Sequence, residues 1–145
     1  MRKSTTLLLL ASLSLSASAL TKEEGKVIVP VGEGVVTLDW YGEGIVRVTK
    51  TPDGKSLDRN SLAITATPSP SKKMKVAETS DKVTVSTPKL KVTVDKADGK
   101  VSYSTAKDDK IVEESGNAVF TPFDDAGRKS WTVTQGFALE PEEDI

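Results

Sequence analysis

The feature that most constrains this chain is a period of two. In Gly34-Val-Val-Thr-Leu-Asp-Trp40, Val36, Leu38 and Trp40 fall on one side and Val35, Thr37 and Asp39 on the other. The same alternation returns in Ile45–Thr49, where Ile45, Arg47 and Thr49 oppose Val46 and Val48, and in Leu62–Thr67, Lys82–Ser86 and Leu90–Val94. Lys26–Val31 is a β-branched run. Successive side chains of a strand point to opposite faces, so Val and Thr in this rhythm mark half-buried strands. No window of a dozen residues in residues 20–145 carries apolar positions at helical spacing, so no helix is expected there. About ten short strands, roughly ten residues apart, imply an all-β fold: an antiparallel β-sandwich or barrel.

Turn residues punctuate these runs. Gly32-Glu-Gly34, Gly42-Glu-Gly44, Pro52-Asp-Gly54, Asp98-Gly99 and Gly116-Asn117 all lie between apolar segments. Asp98-Gly99, between Leu90–Val94 and Val101–Tyr103, predicts a hairpin. Pro68–Lys73 reads as a flexible polar connection. Ser130–Leu139 alternates again, with Trp131, Val133, Phe137 and Leu139 on one face, and then runs into the acidic Glu140–Ile145. The organisation expected is one antiparallel β-sandwich or barrel domain over 20–139, with 140–145 reading as an interruption or, as the alternative, a natural acidic tail.

The first nineteen residues belong to a different kind of element. Arg2 and Lys3 precede an apolar run from Leu7 to Leu15, and Ala17-Ser18-Ala19 supplies a small-x-small cleavage pattern. This is the layout of a secretory signal peptide. The run is too short for the roughly 20 residues of a membrane-spanning helix. Cleavage after Ala19 would deliver an exported domain, periplasmic or extracellular, without a membrane anchor.

Composition narrows the chemistry. The chain has no Cys and no His, which removes Ser-His-Asp and Cys-His catalysis, the usual zinc ligand sets and any disulfide framework. A formal net charge of −1 gives no field suited to nucleic acid. Carboxylates remain, but Glu113-Glu114, Asp124-Asp125 and Glu142-Glu143 are sequence neighbours. On a strand such neighbours diverge, so these pairs read as solvated charge rather than as an acid/base pair. Asp108-Asp109 and Asp124-Asp125 lack the alternate-position spacing of a calcium loop and read as turn residues. Lys72, Lys73 and Lys75 form a small basic cluster in a solvated loop. No catalytic residue, metal or cofactor is expected. Among the aromatic residues, Trp40 and Trp131 share faces with apolar neighbours and are expected in the core. Phe123, in the turn-rich Thr121-Pro-Phe-Asp-Asp-Ala-Gly127, is the candidate ligand or domain contact.

Several stretches, in order, resemble the N-terminal domain of secreted bacterial glycoside hydrolase family 31 enzymes, the α-xylosidase and α-glucosidase group. They are Ile45-Val-Arg-Val48 with the Pro52-Asp-Gly54 turn, Val83–Val94, Lys96–Tyr103, Phe120-Thr-Pro122, and Trp131–Phe137. Glu140–Ile145 resembles the acidic lead-in to that family's catalytic barrel. The resemblance implies a galactose-mutarotase-like sandwich packed against a (β/α)₈ barrel that holds both catalytic Asp residues. The chain is then expected to be a non-catalytic N-terminal fragment of an exported α-glycosidase. It would support the barrel, and its partners would be that barrel and an oligosaccharide at the rim of the substrate pocket. On this reading it leaves an apolar patch uncovered where the barrel docks. The alternative is a free-standing exported β-sandwich that binds carbohydrate or protein; an enzyme in its own right fits least, for want of converging carboxylates.

Overall fold

In the computed structural model, which describes residues 20–23, 25–53 and 63–138, every regular element is a strand. The signal-peptide and 140–145 expectations lie outside the described residues. The first sheet runs in the order β1 (Thr21–Glu23), β2 (Lys26–Val31), β3 (Gly34–Gly42), β4 (Val46–Thr51), all antiparallel. A two-residue β5 (Ser69–Pro70) pairs in parallel with Tyr41–Gly42 at the end of β3. The segment expected to be a flexible link thus carries a short strand, and its two prolines crowd Gly25, where a Cβ would lie 3.1 Å from Pro68 and Pro70.

The second sheet is an antiparallel meander continued at one edge. Its order is β13 (Phe137–Ala138), β10 (Lys110–Glu114), β9 (Val101–Thr105), β8 (Leu90–Asp95), β7 (Lys82–Ser86), β6 (Lys75–Glu78). Alternation places Val27 and Val29 of β2 and Val36, Leu38 and Trp40 of β3 on one inner face. Val83, Val85, Val92, Val94 and Val101 face them from the second sheet, and these ten residues form one buried cluster. Full burial of each such side chain contributes roughly 1.5–3 kcal/mol, which makes this layer the main source of stability. The Asp98-Gly99 hairpin forms as predicted; Gly99 takes φ +74°, and a Cβ there would stand 3.2 Å from Val31 Cγ1.

Two expectations are corrected here. Residues 63–67 form no strand: Ala63 to Thr67 are all exposed, with no sheet beside them to bury the alternating face. The run Ser130–Leu139 is not one strand either. It divides into β12 (Arg128–Thr134) and β13, because Gly136 accepts the Ser115 N–H at 3.0 Å and turns the chain from one partner strand to another.

Among the described residues β12 pairs only with β11 (Val119–Asp125), so the two strands make a separate ribbon in register from Val119↔Thr134 to Asp125↔Arg128. Its tip is a two-residue loop in which both Ala126 (φ +50°) and Gly127 (φ +82°) are left-handed. That is a type I′ turn, whose first position favours Asn or Gly over a residue with a plain Cβ. Ala126→Asn is expected to stabilise the ribbon by about 0.5–1 kcal/mol, read as slower amide hydrogen exchange at Phe123 and Ser130; unchanged or faster exchange would refute it.

Candidate docking and ligand-contact site

Cross-strand register sorts the ribbon's side chains. Phe120, Pro122, Asp124, Lys129, Trp131 and Val133 lie on one face; Val119, Thr121, Phe123, Ser130 and Thr132 lie on the other. Phe120 and Trp131 are diagonal neighbours and meet edge to face, ring centres 6.4 Å apart at 89°. Phe123 is 54% exposed. Trp131, expected in the core, is 46% exposed, and Val133 and Phe137 are both 52% exposed. The alternation correctly set Trp131 and Val133 on one face, but that face is covered only in part: Phe120 and Val133 line a cavity with Val48 and Tyr103, while Trp131 stays half-exposed. A shallow groove of about 480 Å³ runs beside Pro122, Phe123, Asp124, Lys129, Ser130 and Trp131. The groove takes Trp131, Asp124 and Lys129 from one face of the ribbon and Phe123 and Ser130 from the other, so it wraps the ribbon's edge. Aromatic rings with polar groups beside them are the surface chemistry of a sugar or protein contact.

Below the ribbon lies the open side of the sandwich, between β4 and β10. Val46, Val48 and Lys50 share the inner face of β4, opposite Trp40, Leu38 and Val36 in register. The Lys50 ammonium therefore enters the interior, where it donates to Glu114 Oε2 at 2.5 Å. Glu114 also accepts the Val101 backbone N–H at 2.7 Å, and Gln135 Oε1 lies 3.5 Å from Lys50 Nζ. Glu114 is 3% exposed, which corrects its reading as solvated charge; Glu113, pointing outward, is held by Lys110 and Lys100. Those two lysines draw the Glu113 carboxyl below its usual range. Continuing the Val46–Val48 alternation by one step would have placed Lys50 inside, whereas nothing local announces Glu114 as its partner.

The ion pair borders a cavity of about 310 Å³ lined mainly by Val48, Tyr103, Phe120, Val133 and Phe137. Burial, and then the nearby Glu114 charge, push the Tyr103 phenol up to about 12. Because the folded state holds this proton more tightly than the unfolded state, its contribution is complete below pH ~10 and is lost as pH rises toward 12. A phenolate absorbance titration of Tyr103→Phe against the parent should show one late-titrating group removed. A first group lost near pH 10 would contradict the burial argument.

The remaining acidic pairs are used locally. Asp108, at φ +73°, binds Lys91; Asp109 accepts the Thr105 hydroxyl at 3.0 Å; Asp124 accepts the Gly127 N–H at 2.7 Å. Asp124 and Asp125 fall on opposite faces of the ribbon, as strand neighbours must. Among the described residues no group of three acidic side chains could hold a metal ion.

Three findings relate this arrangement to known proteins. The sequence model of the glycosyl hydrolase 31 N-terminal galactose mutarotase-like domain matches residues 35–145. The crystal structure of the GH31 alpha-xylosidase from Xanthomonas citri is similar, with a TM-score of 0.72 and 26% identity over 83% of this chain and 14% of that one. A GH31 alpha-xylosidase from a soil metagenome, complexed with xylose, shares the fold at a TM-score of 0.55, with 23% identity over 67% of this chain and 14% of that one. The chain thus spans 14% of the length of each of these enzymes.

Proposed function

The chain belongs to the glycosyl hydrolase 31 N-terminal galactose mutarotase-like domain family, and from that membership we propose that it is the non-catalytic N-terminal part of an exported α-glycosidase. In the whole enzyme it supports the catalytic barrel and contributes to the rim of the substrate pocket. The observation that carries this reading is the ribbon. A two-stranded hairpin is marginal in water by itself, yet this one exposes Val119, Phe123, Trp131 and Val133, in a chain whose match covers only 14% of each structural neighbour. Such a surface is suited to burial against a larger body. Among the described carboxylates, Asp108, Asp109 and Asp124 are engaged in turns and Glu113 and Glu114 with lysines.

The neighbours are α-xylosidases, so aryl α-xylosides are the first substrates to try, with aryl α-glucosides beside them. Purified chain is expected to turn over neither. Turnover that survives repurification and a change of expression host would overturn the non-catalytic assignment. The groove at Phe123 and Trp131 favours one second reading, a free-standing sugar-binding module. That reading requires xylo-oligosaccharide binding heat from the isolated chain that disappears in Phe123→Ala.

A further inference from the structure

The outer face of the second sheet carries a feature that the docking role does not use. Lys75 pairs in register with Ser86, Ser86 with Lys91, and Lys91 with Ser104. The inner residues of these strands are Val76, Val85 and Val92, so this row of alternating lysine and serine points outward. Lys75 and Lys91 stand two strands apart, roughly 10 Å. Lys73 joins them from the preceding loop, and the three lysines border a concavity of about 490 Å³ with Ser86, Thr87 and Pro88. No acidic residue lines it, although the chain as a whole has more acidic than basic side chains. Of the three, among the described residues, Lys91 alone has a counter-charge, Asp108, approaching from the β9–β10 turn.

The walls are fixed before any ligand arrives. Thr87 is 6% exposed; its hydroxyl donates to the Glu43 carbonyl at 2.5 Å and accepts the Leu90 N–H at 3.0 Å, which sets the Thr87-Pro88 turn. On the other side Ser71 accepts the Lys73 N–H at 3.2 Å and donates to the Glu43 carboxylate at 3.2 Å. Beyond the concavity the sheet continues as a hydroxyl-bearing track: Thr84 and Thr93 are hydrogen-bonded at 3.3 Å, and Ser102 follows in the same row. The wall residues Pro88 and Ala106 offer no aromatic ring on which a base could stack.

We propose that this lysine-bordered concavity binds an acidic oligosaccharide, its carboxylate held by Lys73, Lys75 and Lys91 and its hydroxyls set along the Ser86–Ser104 and Thr84–Thr93–Ser102 rows. Ammonium groups bind carboxylate as point charges, and a flat hydroxyl surface matches a polyhydroxylated chain. The site is separate from the ribbon and stands whether or not the barrel-docking role does.

The test is an amide chemical-shift titration of the full chain with an oligogalacturonate, with a neutral xylo-oligosaccharide of equal length and with inorganic phosphate. Expected are shifts at Lys75, Ser86, Thr87, Lys91 and Ala106 with the oligogalacturonate, weakened by added salt and absent with the neutral sugar. Lys73→Gln/Lys75→Gln alters two exposed side chains, leaves the spectrum otherwise unchanged, and should weaken binding about three- to tenfold. Equal binding of phosphate and oligogalacturonate would overturn the glycan assignment and leave an oxyanion site only. Shifts centred elsewhere, equal binding of the neutral sugar, or no binding at millimolar ligand would overturn the proposal entirely.

Discussion

Lys50→Met is expected to cost the domain about 3–5 kcal/mol, most of the stability that a domain of this size ordinarily has. The pair it breaks is closed to water: the Lys50 side chain is 12% exposed and that of Glu114 4%. Removing the ammonium leaves a carboxylate with only the Val101 N–H and the neutral surroundings of the cavity to stabilise it. Glu114→Gln has a similar but smaller effect, because its carbonyl oxygen still accepts from Val101 while Lys50 is left unpaired. The double variant, Lys50→Met with Glu114→Gln, removes both charges and should recover much of the loss. The sum of the single effects should exceed the double effect by about 2 kcal/mol or more. Urea unfolding at low and high salt measures all four proteins, and the coupling should change little with salt, since a buried pair is weakly screened. Single variants within 1 kcal/mol of the parent would mean that the pair is solvated, and the account of the sandwich's open side would fail with it.

That pair also marks where sequence reading stops. Lys26–Val31 and Lys82–Ser86 are strands with the bounds read from the chain, because each has β-branched apolar residues on the side that is buried. Trp40 was legible for the same reason. Period two reports which side chains share a face; it does not report what stands opposite that face. Trp131 and Val133 share a face that the sheets cover only at its Val133 end, across a cavity, and so a run resembling core became largely exposed surface. Glu114 erred the other way: an acidic pair looks solvated until the packing of one sheet on the other brings Lys50 to it. The lysine concavity is non-local too. Lys73 and Lys75 are visible as a cluster, but Lys91 joins them only through β7, whose Ser86 lies between. Phe123, whose turn-rich context predicts that its ring gains little by burial, is exposed.

Trp40→Ala should be the other severe substitution, about 3–5 kcal/mol, and Trp40→Phe should be nearly neutral. Trp40 is fully buried at the end of the inner face of β3, beside Val46 in register, and its own N–H donates to the Gly25 carbonyl at 2.7 Å. Truncation to Ala empties the largest side-chain volume in the core, and a rigid sheet pair closes only part of such a void. The indole Nε1, however, has no acceptor among the described residues. A buried donor left unpaired costs about 1–3 kcal/mol, so Phe loses packing but also discards that penalty, and the two terms nearly cancel. Expected is a Trp40→Phe protein within about 1 kcal/mol of the parent by urea unfolding, followed by circular dichroism. The chain has only two tryptophans, so this variant also isolates Trp131. Its emission should be red-shifted and readily quenched by acrylamide, as suits a half-exposed ring on the ribbon. If Trp40→Phe destabilised as much as Trp40→Ala, the indole N–H would have to be making a bond that holds the strand. If the remaining emission were blue and protected, the ribbon would already be covered in solution, and the surface assigned to docking would not be free.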